Sequence, residues 1–111
     1  MYKTLNQSKL GGGVRLPHDT INARVKHYIE KKLHRSFATI DPVDRQNIMY
    51  VLIDKFGYTQ KELQDLFLRC RATIYNDISS AKFCVPRSKR RIYNTKVILD
   101  YILYNDKYIY R

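Results

Sequence analysis

Long apolar runs are missing from this chain of 111 residues, as are tryptophan and any CxxC pair. Without a segment of roughly 18 to 20 apolar residues, no helix is expected to span a bilayer. The start, MYKTLNQSKLGGGVRLPHD, carries no hydrophobic stretch of the signal-peptide kind, so the expectation is a soluble cytoplasmic protein. The two cysteines, Cys70 and Cys84, are expected to be reduced thiols, because a disulfide framework belongs to small secreted domains. His18, His27 and His34 could join them only at spacings that match no familiar zinc site, so no metal is expected. No Gly-rich phosphate loop is present either, since GGG at Gly11–Gly13 runs into VRLPHD rather than a Lys-Ser/Thr pair. With no Ser-His-Asp or paired-carboxylate constellation, neither catalysis nor a cofactor is expected. Ten tyrosines would permit a nucleophilic tyrosine, but that chemistry needs a set of Arg and His residues around it and a longer chain.

Acidic residues are scarce, ten against 21 lysines and arginines, for a formal charge of +11 and a pI near 9.8. Such a balance predicts attraction to polyanions. The charge is also segregated. Residues 1–35 hold eight cations against two acids and residues 69–96 hold eight against one, whereas 36–68 hold three against five and 97–111 two against two. Segregation of this kind points to a defined anionic partner.

Periodicity predicts a small all-α domain of about five helices over residues 17–111, preceded by a flexible basic arm at 1–16. The first helix should begin near Asp19 or Thr20, with Ile21, Val25, Tyr28, Ile29 and Leu33 inward and Arg24, Lys26, Lys31, Lys32 and Arg35 outward. DPVDRQNIMYVLIDKFG predicts a second helix with Asp41 as N-cap, Pro42 in the first position and Gly57 as the left-handed residue after its end. The third opens on a capping box, Thr59-Gln60-Lys61-Glu62, and buries Leu63, Leu66 and Phe67. Leu68, Arg69 and Cys70 form a break before a fourth helix at about 71–80, whose apolar seam is only Ile74 and Ile78. A helix meant for the core alone would carry a wider apolar stripe. Over 83–93, Pro86 interrupts the helix and the basic RSKRR allows either a short β-wing or an extended linker. Asn94 or Thr95 is expected to cap a last helix.

Leu63, Phe67 and Ile74 stand where a helix-turn-helix places its locking apolar residues. Over roughly 59–80 the chain resembles bacterial and phage helix-turn-helix regulators, and CRATIYNDI is similar to their second, recognition helix. Leu68 and Arg69 occupy the turn where that pattern often has glycine, and Gln64 replaces the small residue usual in the first helix. A fainter similarity, carried by DRQNIMYVLIDKF at Asp44–Phe56, is to the DNA-binding domain of bacterial replication initiators, where an RQxxMY-like run precedes the motif. The GGRDHTT run of that family is absent, so this likeness speaks to helix order and not to initiation.

These resemblances imply double-stranded DNA as the partner, with a recognition helix at about 71–80 in the major groove. Arg71, Thr73, Tyr75, Asn76 and Ser79 are the candidates for base reading, since Arg pairs bidentately with guanine and Asn with adenine. Asp77 could accept from cytosine or pair with Arg71 or Lys82. Arg15, Arg69, Lys82, Arg87, Lys89, Arg90 and Arg91 are the candidates for phosphate contact. Transcription regulation is the expected role, with nucleoid-associated placement, in the host cytoplasm if the gene is a phage's. The alternatives are an accessory role in replication, recombination or packaging of a phage or plasmid, an RNA-binding module, and a protein-interaction module. A homodimer through residues 95–110 is also expected. Residues 97–104 are apolar on many sides, and Tyr101, Tyr104, Tyr108 and Tyr110 suit an interface.

Overall fold

The computed structural model describes residues 16–104. Among them are five α-helices and no strand: α1 (His18–Lys31), α2 (Pro42–Phe56), α3 (Gln60–Phe67), α4 (Arg71–Cys84) and α5 (Lys89–Tyr104), with a 3-10 turn at Val85–Arg87 between the last two. The arm expected at 1–16 lies outside the described residues except for Leu16, which is half-buried against the core.

The central element is α2, which packs on both α4 and α5, while α1 closes over α5 and α3 rests on α4. Helical spacing explains the core. Ile21, Val25 and Ile29 of α1 meet Ile48, Met49 and Leu52 of α2, Leu63 and Phe67 of α3, Ile74 of α4 and Ile98 and Ile102 of α5. Each of these side chains is almost wholly removed from water, and such burial stabilises by about 1.5–3 kcal/mol per large residue. At eight residues, α3 is too short to persist alone. Its position rests on Leu63, Phe67 and an edge-on contact between Phe37 and Phe67 at 5.4 Å between ring centres.

Element ends follow local chemistry. The capping box forms: Thr59 Oγ1 accepts from the Glu62 N–H (3.2 Å) and Glu62 Oε1 accepts from the Thr59 N–H (2.8 Å). That backbone donor holds the Glu62 carboxyl below the usual carboxylate range, helped by His18. Asp41 and Pro42 open α2 as expected, although Asp41 makes no side-chain cap bond, and Gly57 closes it at φ 68°. In the break, Leu68 takes the left-handed conformation (φ 54°, ψ 48°) that a glycine would adopt without strain.

Four expectations are corrected. First, α1 begins at His18 after Pro17, one residue before the expected Asp19, which lies in its first turn and complements the helix dipole. Second, Arg24 is buried rather than solvated: Nη1 donates to the carbonyls of Ile102 (2.6 Å) and Leu103 (3.3 Å) of α5. Third, α4 continues to Cys84, four residues past its expected end at Ser80. Fourth, there is neither a β-wing nor an extended linker at 83–93. Buried Val85 pins the 3-10 turn that Pro86 permits, extended Ser88 ends it, and Ser88 Oγ accepts from the Arg91 N–H (3.3 Å) to start α5 at Lys89. The expected caps Asn94 and Thr95 therefore lie inside α5, where Thr95 Oγ1 donates back to the Ile92 carbonyl (2.7 Å).

Candidate nucleic-acid interface

The two faces of α4 differ sharply. Ile74, Asp77 and Ala81 are buried, with Ile78 half-buried beside them, so the inward seam runs 74–77–78–81. Arg71, Ala72, Tyr75, Asn76, Ser79, Lys82 and Phe83 are exposed and form a continuous outward stripe.

Asp77 is the charged member of the inward seam, and neither Arg71 nor Lys82 is its partner. Arg45 of α2 grips it with two bonds, Nε to Oδ2 at 2.6 Å and Nη2 to Oδ1 at 3.1 Å, and Gln46 Nε2 donates to Oδ1 at 3.3 Å. The pair is sealed from water, at 9% and 7% side-chain exposure. The next residues of α2 hold α5. Arg91 Nε donates to Asn47 Oδ1 (2.9 Å) and Nη2 to Gln46 Oε1 (3.0 Å), with the Val43 carbonyl at 3.4 Å. The run Arg45-Gln46-Asn47 thus fixes α4 through Asp77 and the first turn of α5 through Arg91.

The candidate contact residues consequently divide. Arg71, Lys82, Lys89 and Arg90 are exposed and form no hydrogen bond or ion pair with any described residue. Arg91 is half-buried in the α2 network just described. Arg69 spends its Nη2 on the carbonyls of Phe37 and Ala38, both at 3.2 Å, tying the break to the α1–α2 loop. Arg87 folds back, with Nη1 2.6 Å from the Phe83 carbonyl and the guanidinium 4.0 Å above the Phe83 ring, yet remains exposed. Arg15 lies outside the described residues.

Of the base-reading candidates, Arg71, Tyr75, Asn76 and Ser79 share the outward stripe. Thr73 stands apart: it is half-buried, and its Oγ1 lies 3.2 Å from Cys70 Sγ at the start of α4. That hydrogen bond pushes the Cys70 thiol below its usual range.

Electrostatically the consequence is simple. Between Asp65 and Asp100 the only acid in the sequence is Asp77, and it is withdrawn from the surface and neutralised by Arg45. The outward side of α4, the 3-10 turn and the start of α5 carries cations with no exposed carboxylate among them. Ala72 and Phe83 belong to this surface as well, and periodicity read with the expected helix bounds did not single them out. The anchoring role of Arg45 had a signal in sequence: a carboxylate on an apolar seam demands a cation from the facing helix.

Among the described residues no cluster of His, Cys, Asp or Glu could hold a metal ion, and no helix is long and apolar enough to cross a membrane. Comparison with protein-family models, with curated proteins and with solved structures finds no match to the chain.

Proposed function

We propose that the protein binds double-stranded DNA, with the outward stripe of α4 entering the major groove and the basic start of α5 lying on the adjoining backbone. One observation carries this reading. The exposed cations Arg71, Lys82, Lys89 and Arg90 form no bond with any described residue, and the one acid of their own stretch of chain, Asp77, is folded inward onto Arg45. Cations held in this way neutralise phosphates and release counterions. Arg71, Tyr75, Asn76 and Ser79 then supply the groups that read base edges, Asn76 suited to adenine and Arg71 to guanine. Helix α3 and the break at 68–70 complete the helix-turn-helix reading, with the Arg45–Asp77 lock setting how α4 is presented. A reading helix spans only a few base pairs, so a second copy of the chain is the partner this reading calls for. Transcription regulation is the role it fits best; an accessory part in replication, recombination or packaging of a phage or plasmid is the runner-up.

The exposed aromatics Tyr75 and Phe83 favour a second reading, in which unpaired bases stack on them. Titration of labelled duplex DNA, single-stranded DNA and RNA of matched length over a salt series separates the two. Tighter binding to duplex, with log K falling linearly with log salt, is the expected result. Equal or tighter binding to the single strands transfers the proposal to the stacking mode, and binding to none of them removes both.

A further inference from the structure

Beyond the basic residues at its start, the outward side of α5 has a regularity of its own. Its exposed residues include Arg90, Tyr93, Val97, Asp100 and Tyr104, at successive intervals of three, four, three and four. This is the spacing of a coiled-coil seam, in which alternate intervals of three and four keep side chains on one line facing a partner helix. The monomer core takes Ile98, Tyr101 and Ile102 from the other side of the helix, so it does not explain the line. Tyr101 in particular, expected at an interface, is a core residue: its hydroxyl bonds to His27 Nδ1, and its ring meets Tyr28 edge-on at 5.3 Å. Left in water are Tyr93, Val97 and Tyr104, exposed by 65%, 38% and 52%.

We infer that this line pairs with the same line of a second copy, antiparallel. The charges decide the direction. Lys89 and Arg90 stand at one end of α5. Parallel pairing would lay two such clusters together, whereas antiparallel pairing sets them at opposite ends. The register follows from the same residues. Placing Tyr93 against the partner's Tyr104 sets Val97 against the partner's Asp100 and brings Lys96 beside that carboxylate. Within one chain Lys96 and Asp100 are four apart on an exposed face, with the lysine first, the weaker order for a helical pair. No ion pair joins them, and neither has an ion-pair partner among the described residues. A polar residue on the seam costs some affinity and fixes the register. The inference deepens the DNA-binding reading by naming its second reading helix, but it stands on α5 alone, and its test contains no DNA.

Sedimentation equilibrium of the full chain over the micromolar range is expected to approach twice the 13.3 kDa chain mass. Val97→Glu and Asp100→Lys should each return it to a single copy with an unchanged helical circular dichroism signal, because both positions are exposed. Lys96→Asp combined with Asp100→Lys should restore the pair by reversing both charges. A single-copy parent chain overturns the inference, and so does a dimer that Asp100→Lys fails to weaken. A double variant that stays single overturns the antiparallel register. Should Val97→Glu disturb folding, the charge-reversal set still decides. Loss of DNA binding with the dimer intact would count against the function and not against the seam.

Discussion

Residues 1–35 and 69–96 each hold eight lysines and arginines, yet their described parts present different surfaces. On α1 and the residue after it, Arg24 is buried on the end of α5, Lys32 lies 6.0 Å from the centre of the Tyr101 ring, and Asp19 and Glu30 are exposed beside Lys26 and Lys31. The result is a mixed face of ordinary solvated charge. From Arg69 to Lys96 the single acid is folded inward, and most of the cations stay in water. A basic count is therefore a poor measure of a basic surface. What matters is which charges the fold consumes, and burying one aspartate raises the surface charge of the second region by as much as an extra lysine would.

The largest expected effect comes from undoing that burial. Arg45→Ala leaves the Asp77 carboxylate buried without its cation, which should cost about 3–5 kcal/mol of stability. Urea unfolding measures this. Lys26→Ala on exposed α1 should stay within about 0.5 kcal/mol of the parent chain in the same experiment. If Arg45→Ala proved as mild, the lock would not be what holds α4.

Arg71→Ala and Asn76→Ala come next, each expected to weaken binding to the preferred duplex by about 1–3 kcal/mol and to relax discrimination at one base pair. The preferred site would first be found by selection from random duplexes. Equal weakening on preferred and random DNA would reassign both residues to backbone contact.

The comparison of the two basic regions is tested most directly by salt. Replacing Lys89 and Arg90 with alanine should flatten the slope of log K against log salt by about 0.9 for each phosphate no longer neutralised. Replacing Lys26 and Lys31 should leave it unchanged. Equal flattening by the two pairs would show that α1 shares in the contact and that its acids do not matter.

The smallest effect is expected at the break. Leu68 holds a left-handed backbone while exposing 84% of its surface, so it gains little from packing. Leu68→Gly relieves the strain at some cost in unfolded-chain entropy, for a net gain of about 0.5–1 kcal/mol. A thermal melt checks it, and DNA affinity should not change.

Much of the helical plan is legible in the sequence because its signals are local. Thr59 and Glu62 are three residues apart, Asp41, Pro42 and Gly57 bracket one helix, and the stripe of Ile21, Val25 and Ile29 needs only a period of 3.6. The stretch at 83–93 misleads for a complementary reason. Proline announces an interruption but not its kind, and the conformation beyond Pro86 depends on whether Val85 finds a core to enter. The outward residues Arg71, Tyr75, Asn76 and Ser79 can be picked out because Ile74 and Ile78 define the inward side of their own helix. The division of the arginines cannot be read in that way. Arg45, Arg69, Arg87 and Arg91 have the same side chain and nearly the same propensities.

The sequence by itself determined the bounds of α2 and α3, the apolar stripes that make the core, and the total charge, since these depend on covalent neighbours and helical spacing. Tertiary structure alone decided which charges remain in water. Arg45 meets Asp77 across 32 positions, and Arg91 meets Asn47 across 44. A guanidinium has no preference for burial or exposure until a carboxylate or carbonyl is carried to within about 3 Å of it. Only the packing of α2 against α4 and α5 does that.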